Sequence, residues 1–207
     1  MGHRFAEIAF TDSVKAMQEA MGSRSSYQHM EEMDEPVNQV LGANEAGFIG
    51  ARDSFYMATV SETGWPYVQH RGGPAGFVRV LDEKTIGFAD FRGNRQYISV
   101  GNVMKDNRVS LFFMDYAHRT RLKLLGRART VDLSDGDLLS KLEVPTYRAR
   151  VERGIVIDVE AFDWNCPQHI VERFTLAEIE SAVAPLQTRI AELEAHLKAA
   201  TEDQIAP

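Results

Sequence analysis

Between Phe55 and Phe162 apolar and polar residues mostly alternate, whereas on either side they recur every three or four positions. A period of two marks strands and a period near 3.6 marks helices, so the chain reads as a β body flanked by helices. Phe55–Glu62 predicts a strand, Thr63-Gly64 a tight turn and Pro66–Arg71 the hairpin partner. In that partner Tyr67, Gln69 and Arg71 share one face, and Val68 and His70 the other. The glycine-rich run from Arg71 to Gly76 predicts a loop that lets backbone approach something closely. Phe77–Leu81 and Thr85–Ala89 form the next strand pair, followed later by Val109–Met114 and Gly154–Phe162. Arg119–Val131 is the longest strand candidate, with Arg119, Arg121, Lys123, Arg127 and Arg129 on one face and Leu122, Leu124 and Ala128 on the other. Helices are expected at 11–22, from Val37 to about Arg52, from about Arg95 to Met104, and at Asp132–Glu143, with a polar connector reaching about Glu35. Six or more antiparallel strands with few intervening helices predict a small closed barrel.

The C-terminal segment has a different character. Thr175-Leu176-Ala177-Glu178 is a capping box that opens a long helix. Leu176, Ile179, Val183, Leu186, Ile190, Leu193 and Leu197 then follow at spacings of 3, 4, 3, 4, 3 and 4. That is a strict a/d seam, which suits either a partner helix or the protein's own barrel. Pro185 lies inside the segment and is expected to kink or interrupt it.

With 207 residues, 44% hydrophobic and 26% charged, the chain can bury one substantial core. Its single cysteine, Cys166, allows no intrachain disulfide, and the N-terminus has no apolar run that reads as a signal peptide or membrane span. Gly2 lacks the Ser or Thr at position 6 that myristoylation needs, so the expected compartment is the cytoplasm. The net charge of −7 argues against a nucleic-acid surface, but it is unevenly spread. Residues 1–54 hold 4 Lys/Arg against 9 Asp/Glu, residues 55–129 hold 12 against 6, and residues 130–207 hold 7 against 15. A basic middle within an acidic chain suits a small anionic ligand, or else acidic segments of the same protein.

One junction concentrates the chemistry. Ile86–Phe91 is a strand pattern that runs into Arg92-Gly93-Asn94-Arg95-Gln96, where a helix is expected to begin. Backbone N–H groups at a helix start and a planar guanidinium together suit a phosphate, although Asn94-Arg95 also reads as an ordinary helix cap. Cys166 reads as a small buried residue, with a reactive thiol or a haem ligand in its Cys-Pro pair as alternatives. The six histidines show no zinc-site spacing, and no nucleophile-elbow pattern is present.

The order of these pieces resembles a known family. Phe55-Tyr56-Met57-Ala58-Thr59-Val60, Gly64-Trp65-Pro66, Arg71-Gly72-Gly73, Phe88-Ala89-Asp90, Gly93-Asn94-Arg95, Asn102, Val109–Phe113 and Gly126-Arg127-Ala128 are similar to the pyridoxamine 5′-phosphate oxidase-like flavoproteins. Asp163-Trp164-Asn165-Cys166-Pro167-Gln168-His169-Ile170 resembles one branch of them, and the likeness spans roughly residues 45–175. The resemblance implies a mainly β, antiparallel split β-barrel with N-terminal helices and a long C-terminal helix, binding FMN at the interface of a homodimer. It implies a helical extension at 1–44, the FMN-binding barrel at 45–172 and a coiled-coil-like helix at 173–207.

Carried over by position, Gly93, Asn94 and Arg95 would hold the FMN phosphate. Gln69, His70 and Arg71 would run along flavin and phosphate, and Phe88, Ala89 and Asp90 would lie beside ring and ribityl chain. Arg121 takes the place near the pyrimidine edge where the family often has Gln, and a cation there would favour the reduced ring. Trp164, Asn165, Cys166 and Gln168 would come from the partner subunit. True pyridoxamine phosphate oxidases end in an arginine-containing segment that grips substrate phosphate. This chain has the Trp164–His169 segment there instead, so its small-molecule substrate is open. The implied activity is hydride transfer by an FMN-dependent oxidoreductase, with NADH or NADPH as candidate reductant and no nucleic acid or membrane involved. The other readings are a non-catalytic flavin carrier or sensor, and a split barrel holding a deazaflavin or haem.

Overall fold

The stretch of period two folds into a single antiparallel sheet of seven strands, in order β2-β1-β5-β6-β7-β4-β3. The strands are β1 (Ser54–Val60), β2 (Pro66–Gly72), β3 (Val78–Asp82), β4 (Thr85–Phe91), β5 (Arg108–Asp115), β6 (Thr120–Val131) and β7 (Val151–Trp164). The structure is a computed structural model that describes residues 2–33, 36–164 and 166–205, with side chains to residue 198. It divides into two compact units, Met1–Asp115 with Thr120–Pro167, and Tyr116–Arg119 with Gln168–Pro207.

Alternation sets which face each strand buries. Phe55, Met57 and Thr59 of β1, Val109, Leu111 and Phe113 of β5, and Leu122, Leu124 and Ala128 of β6 point into the core. The alternate residues of β6 stay at the surface in acidic company: Lys123 Nζ lies 2.7 Å from Asp163 Oδ2, and Arg127 pairs with Glu160. β4 is buried from Ile86 to Asp90 because a second layer covers its outer side. There Ala89 and Val156 pack with Val131, Leu139 and Leu142, the leucines coming from α6 (Gly136–Leu142).

The expected closed barrel is corrected by the pairing. β2 and β3 are the two ends of the ladder, and no strand pairing joins them among the described residues. They are consecutive in the chain, but the loop through Gly73-Pro74-Ala75-Gly76, with Gly76 at φ +81°, carries the backbone across instead of turning a hairpin. The sheet nonetheless rolls up, because Phe55 of β1 stacks on Phe113 (4.9 Å between ring centroids) and meets Phe88 of β4 edge-on at 5.3 Å. Phe77, on the crossing loop, packs against both Phe55 and Phe88 at 5.9 and 6.2 Å. Aromatic contacts of this kind add about 0.5–1.5 kcal/mol beyond burial. The result is a split barrel, joined along one seam by side chains alone.

Helix boundaries moved more than strand boundaries. The N-terminal region forms α1 (Arg4–Ala9), α2 (Asp12–Ala20) and α3 (Arg24–Glu31), the last within the expected connector. Its apolar spacing is weak, and the packing of this region supplies what the pattern lacks. Lys15 and Arg24 both pair with Glu31, and the Lys123 ammonium lies over the Phe5 ring at 4.7 Å. The helix expected over 37–52 is α4 (Ala43–Gly50), because Asn38 sits at φ 61° and Glu45 caps the start by accepting from Gly42 N at 2.9 Å. In the second unit α7 (Leu176–Ile205) runs unbroken through Pro185, where an interruption was expected. The proline costs one backbone hydrogen bond on an exposed face, where water can replace it.

β6 carries a bulge between Leu125 and Gly126 where it pairs with β7. A Cβ on Gly126 would stand 2.6 Å from Asp158 O and 2.8 Å from Ile157 Cγ2, so backbone would have to move. Gly126→Ala is expected to lower unfolding stability by about 1–3 kcal/mol in urea denaturation. An unchanged midpoint would show that the bulge yields freely.

Candidate functional site

The seam between β2 and β4 is where the charged groups collect. Arg71 near the end of β2 donates from Nη1 to Asp90 Oδ1 of β4 at 2.5 Å. Arg153, from β7 beside β4, places Nε 3.5 Å from Asp90 Oδ2 and Nη2 3.3 Å from Glu152 Oε2. The Tyr97 hydroxyl donates to Glu152 Oε1 at 3.3 Å, and its ring lies 5.0 Å below the Arg153 guanidinium. Arg95 Nε donates to the Tyr97 hydroxyl at 3.2 Å, and Arg92 Nε stands 3.7 Å from Glu152 Oε1. Four guanidiniums therefore face two carboxylates.

Two buried nitrogens in this wall, Arg71 Nε and Arg153 Nε, have no hydrogen-bond partner among the described residues, although Arg153 Nε faces Asp90 in an ion pair at 3.5 Å. A buried donor left without an acceptor costs about 1–3 kcal/mol, so the wall has unused capacity for an anion. Burial lifts the Asp90 carboxyl above its ordinary range, and the adjacent Arg71 and Arg153 guanidiniums pull the other way.

The hinge between β4 and the next helix shapes the cleft. α5 (Ile98–Lys105) begins at Ile98, three residues later than expected. Asn94 Oδ1 accepts from Gln96 N at 3.2 Å in a local turn, and Arg95 and Tyr97 hold left-handed φ values of 61° and 54°. Asn94 and Arg95 thus sit on a loop ahead of the helix, and the first helical turn at the cleft is Ser99 and Val100. Two bonds fix α5 in place: Ser99 Oγ donates to Gln69 Oε1 of β2 at 2.7 Å, and Asn102 Nδ2 donates to Thr59 Oγ1 of β1 at 2.9 Å.

Two adjoining clefts of about 200 and 240 Å³ open on this wall and share Gln69, Arg71, Asp90, Phe91 and Gly93. The first is completed by Asn94, Arg95, Tyr97 and Glu152, the second by Phe77, Phe88 and Ala89. Most of the residues selected from the sequence therefore meet here. His70 borders the second cleft, and its exposed ring lies edge-on to Tyr56 at 5.6 Å. The Phe88 ring is buried in the core below the Arg71 guanidinium, 5.9 Å away, and the Ala89 side chain belongs to the outer apolar layer.

The remaining candidates lie elsewhere in a single chain. Arg121 pairs across β5 with Met114, places its guanidinium 6.0 Å from the Phe112 ring and lines neither cleft. Trp164 donates from Nε1 to Glu45 Oε1 at 2.8 Å and packs its ring edge-on to Phe48 at 4.8 Å. Cys166 is exposed, against the expectation of burial, since it lies beyond the end of β7 at Trp164. Gln168 is exposed, and Asn165 lies outside the described residues. Sequence reading missed Arg153, Glu152 and Tyr97. For Glu152 the period-two run of Arg148, Arg150 and Glu152 ahead of Gly154 is the available signal, and Arg153 and Tyr97 lie outside it.

A rolled, unclosed antiparallel barrel with a cationic cleft along its seam defines the class. The family model for pyridoxamine 5′-phosphate oxidase matches residues 42–172, and the chain belongs to that family. No curated protein matches the chain. Among solved structures, HupZ of Group A Streptococcus is 17% identical over 65% of this chain and 100% of its own, with a TM-score of 0.49. A proposed pyridoxamine 5′-phosphate oxidase of Lactobacillus delbrueckii is 19% identical, covering 61% and 96%, with a TM-score of 0.47. An FMN-binding protein of Syntrophomonas wolfei is 13% identical, covering 72% and 97%, with a TM-score of 0.45.

Removing Arg71 leaves Asp90 with one guanidinium, so in Arg71→Met its titration midpoint is expected to rise further. A group whose folded value exceeds its unfolded value loses stability as pH rises between the two. The decline in stability above the ordinary carboxylate range should therefore extend to higher pH in the variant. Carbon-13 NMR of the Asp90 carboxyl with urea titrations checks both, and an unchanged midpoint would remove Arg71 from the electrostatics of the cleft.

Proposed function

We propose that this chain is an FMN-binding flavoprotein that works as a homodimer and exchanges hydride between FMN and a small molecule. The observation that carries the reading is the buried Arg71 Nε, without a hydrogen-bond partner among the described residues, in a cleft completed by the Asn94–Arg95 loop. The residues suit FMN in kind. A phosphate near −2 is held by charge-assisted hydrogen bonds from arginine and from N–H groups of a helix start, each worth about 1.5–3 kcal/mol. The adjoining cleft offers the apolar faces of Phe77 and Phe91 beside the polar ends of Gln69 and Arg71.

FMN supplies a ring that accepts and returns hydride, and the protein's part is to hold, orient and shield it. Arg71 and Arg95 would bind the phosphate, with Arg153 behind them against Asp90, while Ser99 and Gln69 would orient the neighbouring hydroxyls and Phe91 would exclude water. Arg121, Trp164, Cys166 and Gln168 line neither cleft in one chain, so we assign them, with Asn165, to a second copy, which closes the site. No helix among the described residues is long and apolar enough to cross a membrane.

Freshly purified protein is expected to show a flavin absorbance spectrum with equimolar FMN, and to bleach on anaerobic mixing with NADH or NADPH. A Soret band would overturn the flavin assignment. Arg95→Ala is expected to weaken FMN binding roughly 10- to 100-fold in a fluorescence titration. Unchanged affinity would remove Arg95 from the phosphate site.

A further inference from the structure

The second unit presents an ordered helix with a long apolar stripe. α7 (Leu176–Ile205) is fixed at its start by a reciprocal box: Thr175 N donates to Glu178 Oε2 at 2.7 Å, and Glu178 N donates to Thr175 Oγ1 at 3.2 Å. Along it Leu176, Val183, Ile190 and Leu197 occupy heptad position a, and Ile179, Leu186 and Leu193 occupy position d. All seven are exposed in the single chain. Large aliphatics kept at a period of 3.5 over three heptads match a second helix of the same period. Pro185 falls at position c, away from the stripe.

Identity at these positions selects the partner. Val183 and Ile190 at a, with Leu186 and Leu193 at d, are the choices that favour two parallel strands. The flanking charges agree. In a parallel, in-register pair Arg189 at position g faces Glu194 at position e of the other helix, and symmetry makes the contact twice. An antiparallel pair mates a with d positions and stacks only six such layers, whereas the parallel pair keeps all seven. Within one chain Arg189 Nη1 bonds Glu192 Oε2 at 2.9 Å, with both side chains more than half exposed. Such a pair contributes little and leaves the guanidinium able to turn to a neighbour.

We propose that α7 pairs with α7 of a second copy of this chain in a parallel, two-stranded coiled coil. The pairing rests on the helix alone and is independent of the flavin reading. The full chain carrying Cys166→Ser is the background for single cysteines at Leu193→Cys and Ile179→Cys, with Ser181→Cys as a control on the outward face. After mild oxidation and a non-reducing gel, Leu193→Cys and Ile179→Cys should each cross-link to themselves in most chains, at dilutions where Ser181→Cys does not. Ile190→Cys replaces Leu193→Cys if circular dichroism shows that variant unfolded. Cross-linking only when a Leu193→Cys chain is co-expressed with a Val183→Cys or Leu176→Cys chain would mean an antiparallel pair and overturn the proposal. No cross-linking at any seam position, or equal cross-linking at Ser181→Cys, would overturn it as well.

Discussion

The split barrel depends on a seam that backbone hydrogen bonds do not close. β2 and β3 end the ladder, and the rolled shape is held by the Phe55, Phe77, Phe88 and Phe113 cluster together with the Arg71–Asp90 ion pair. A seam of ladder hydrogen bonds would have no free donors. A seam of side chains leaves them, and here the buried Arg71 Nε has no hydrogen-bond partner among the described residues. Burying two guanidiniums against one carboxylate is a poor route to stability, because desolvation cancels much of the attraction. The same arrangement makes sense as preparation for an anion that completes the pairing.

Charge along the chain separates into two uses. The basic face of β6 is largely neutralised by acidic residues of β7, with Lys123 on Asp163 and Arg127 on Glu160, so the plain structural reading of the basic middle holds there. It fails at the seam, where among the described residues Arg71, Arg92 and Arg153 share Asp90 and Glu152, and Arg95 bonds the Tyr97 hydroxyl. The net charge of −7 therefore coexists with a local cationic cleft at the seam. Asp163 also meets His3 at 3.7 Å, and burial holds the His3 ring below its ordinary pKa. The start of the chain and the end of β7 are thus fixed together.

Strands were legible because alternation is imposed by burial on one face, and all seven appear within a few residues of where the pattern puts them. Helix starts were less legible because local turns decide them. The Asx turn at Asn94 and the left-handed Arg95 and Tyr97 displaced α5 by three residues, and no periodicity encodes that. α3 was read as a connector because its polar surface hides a helix held by Arg24, Lys15 and Glu31. In the cleft, Arg71, Asn94 and Arg95 were accessible from their order along the chain. Arg153 was not, since its role comes from β7 lying beside β4, a pairing between residues more than sixty positions apart.

The most direct measurement is a crystal structure of the full chain grown with FMN in excess. The phosphate is expected within hydrogen-bonding distance of Arg71 and of the Asn94–Arg95 loop, with Arg71 Nε newly paired. A flavin bound away from the β2–β4 seam, or a seam closed by the arginines and carboxylates alone, would contradict the assignment.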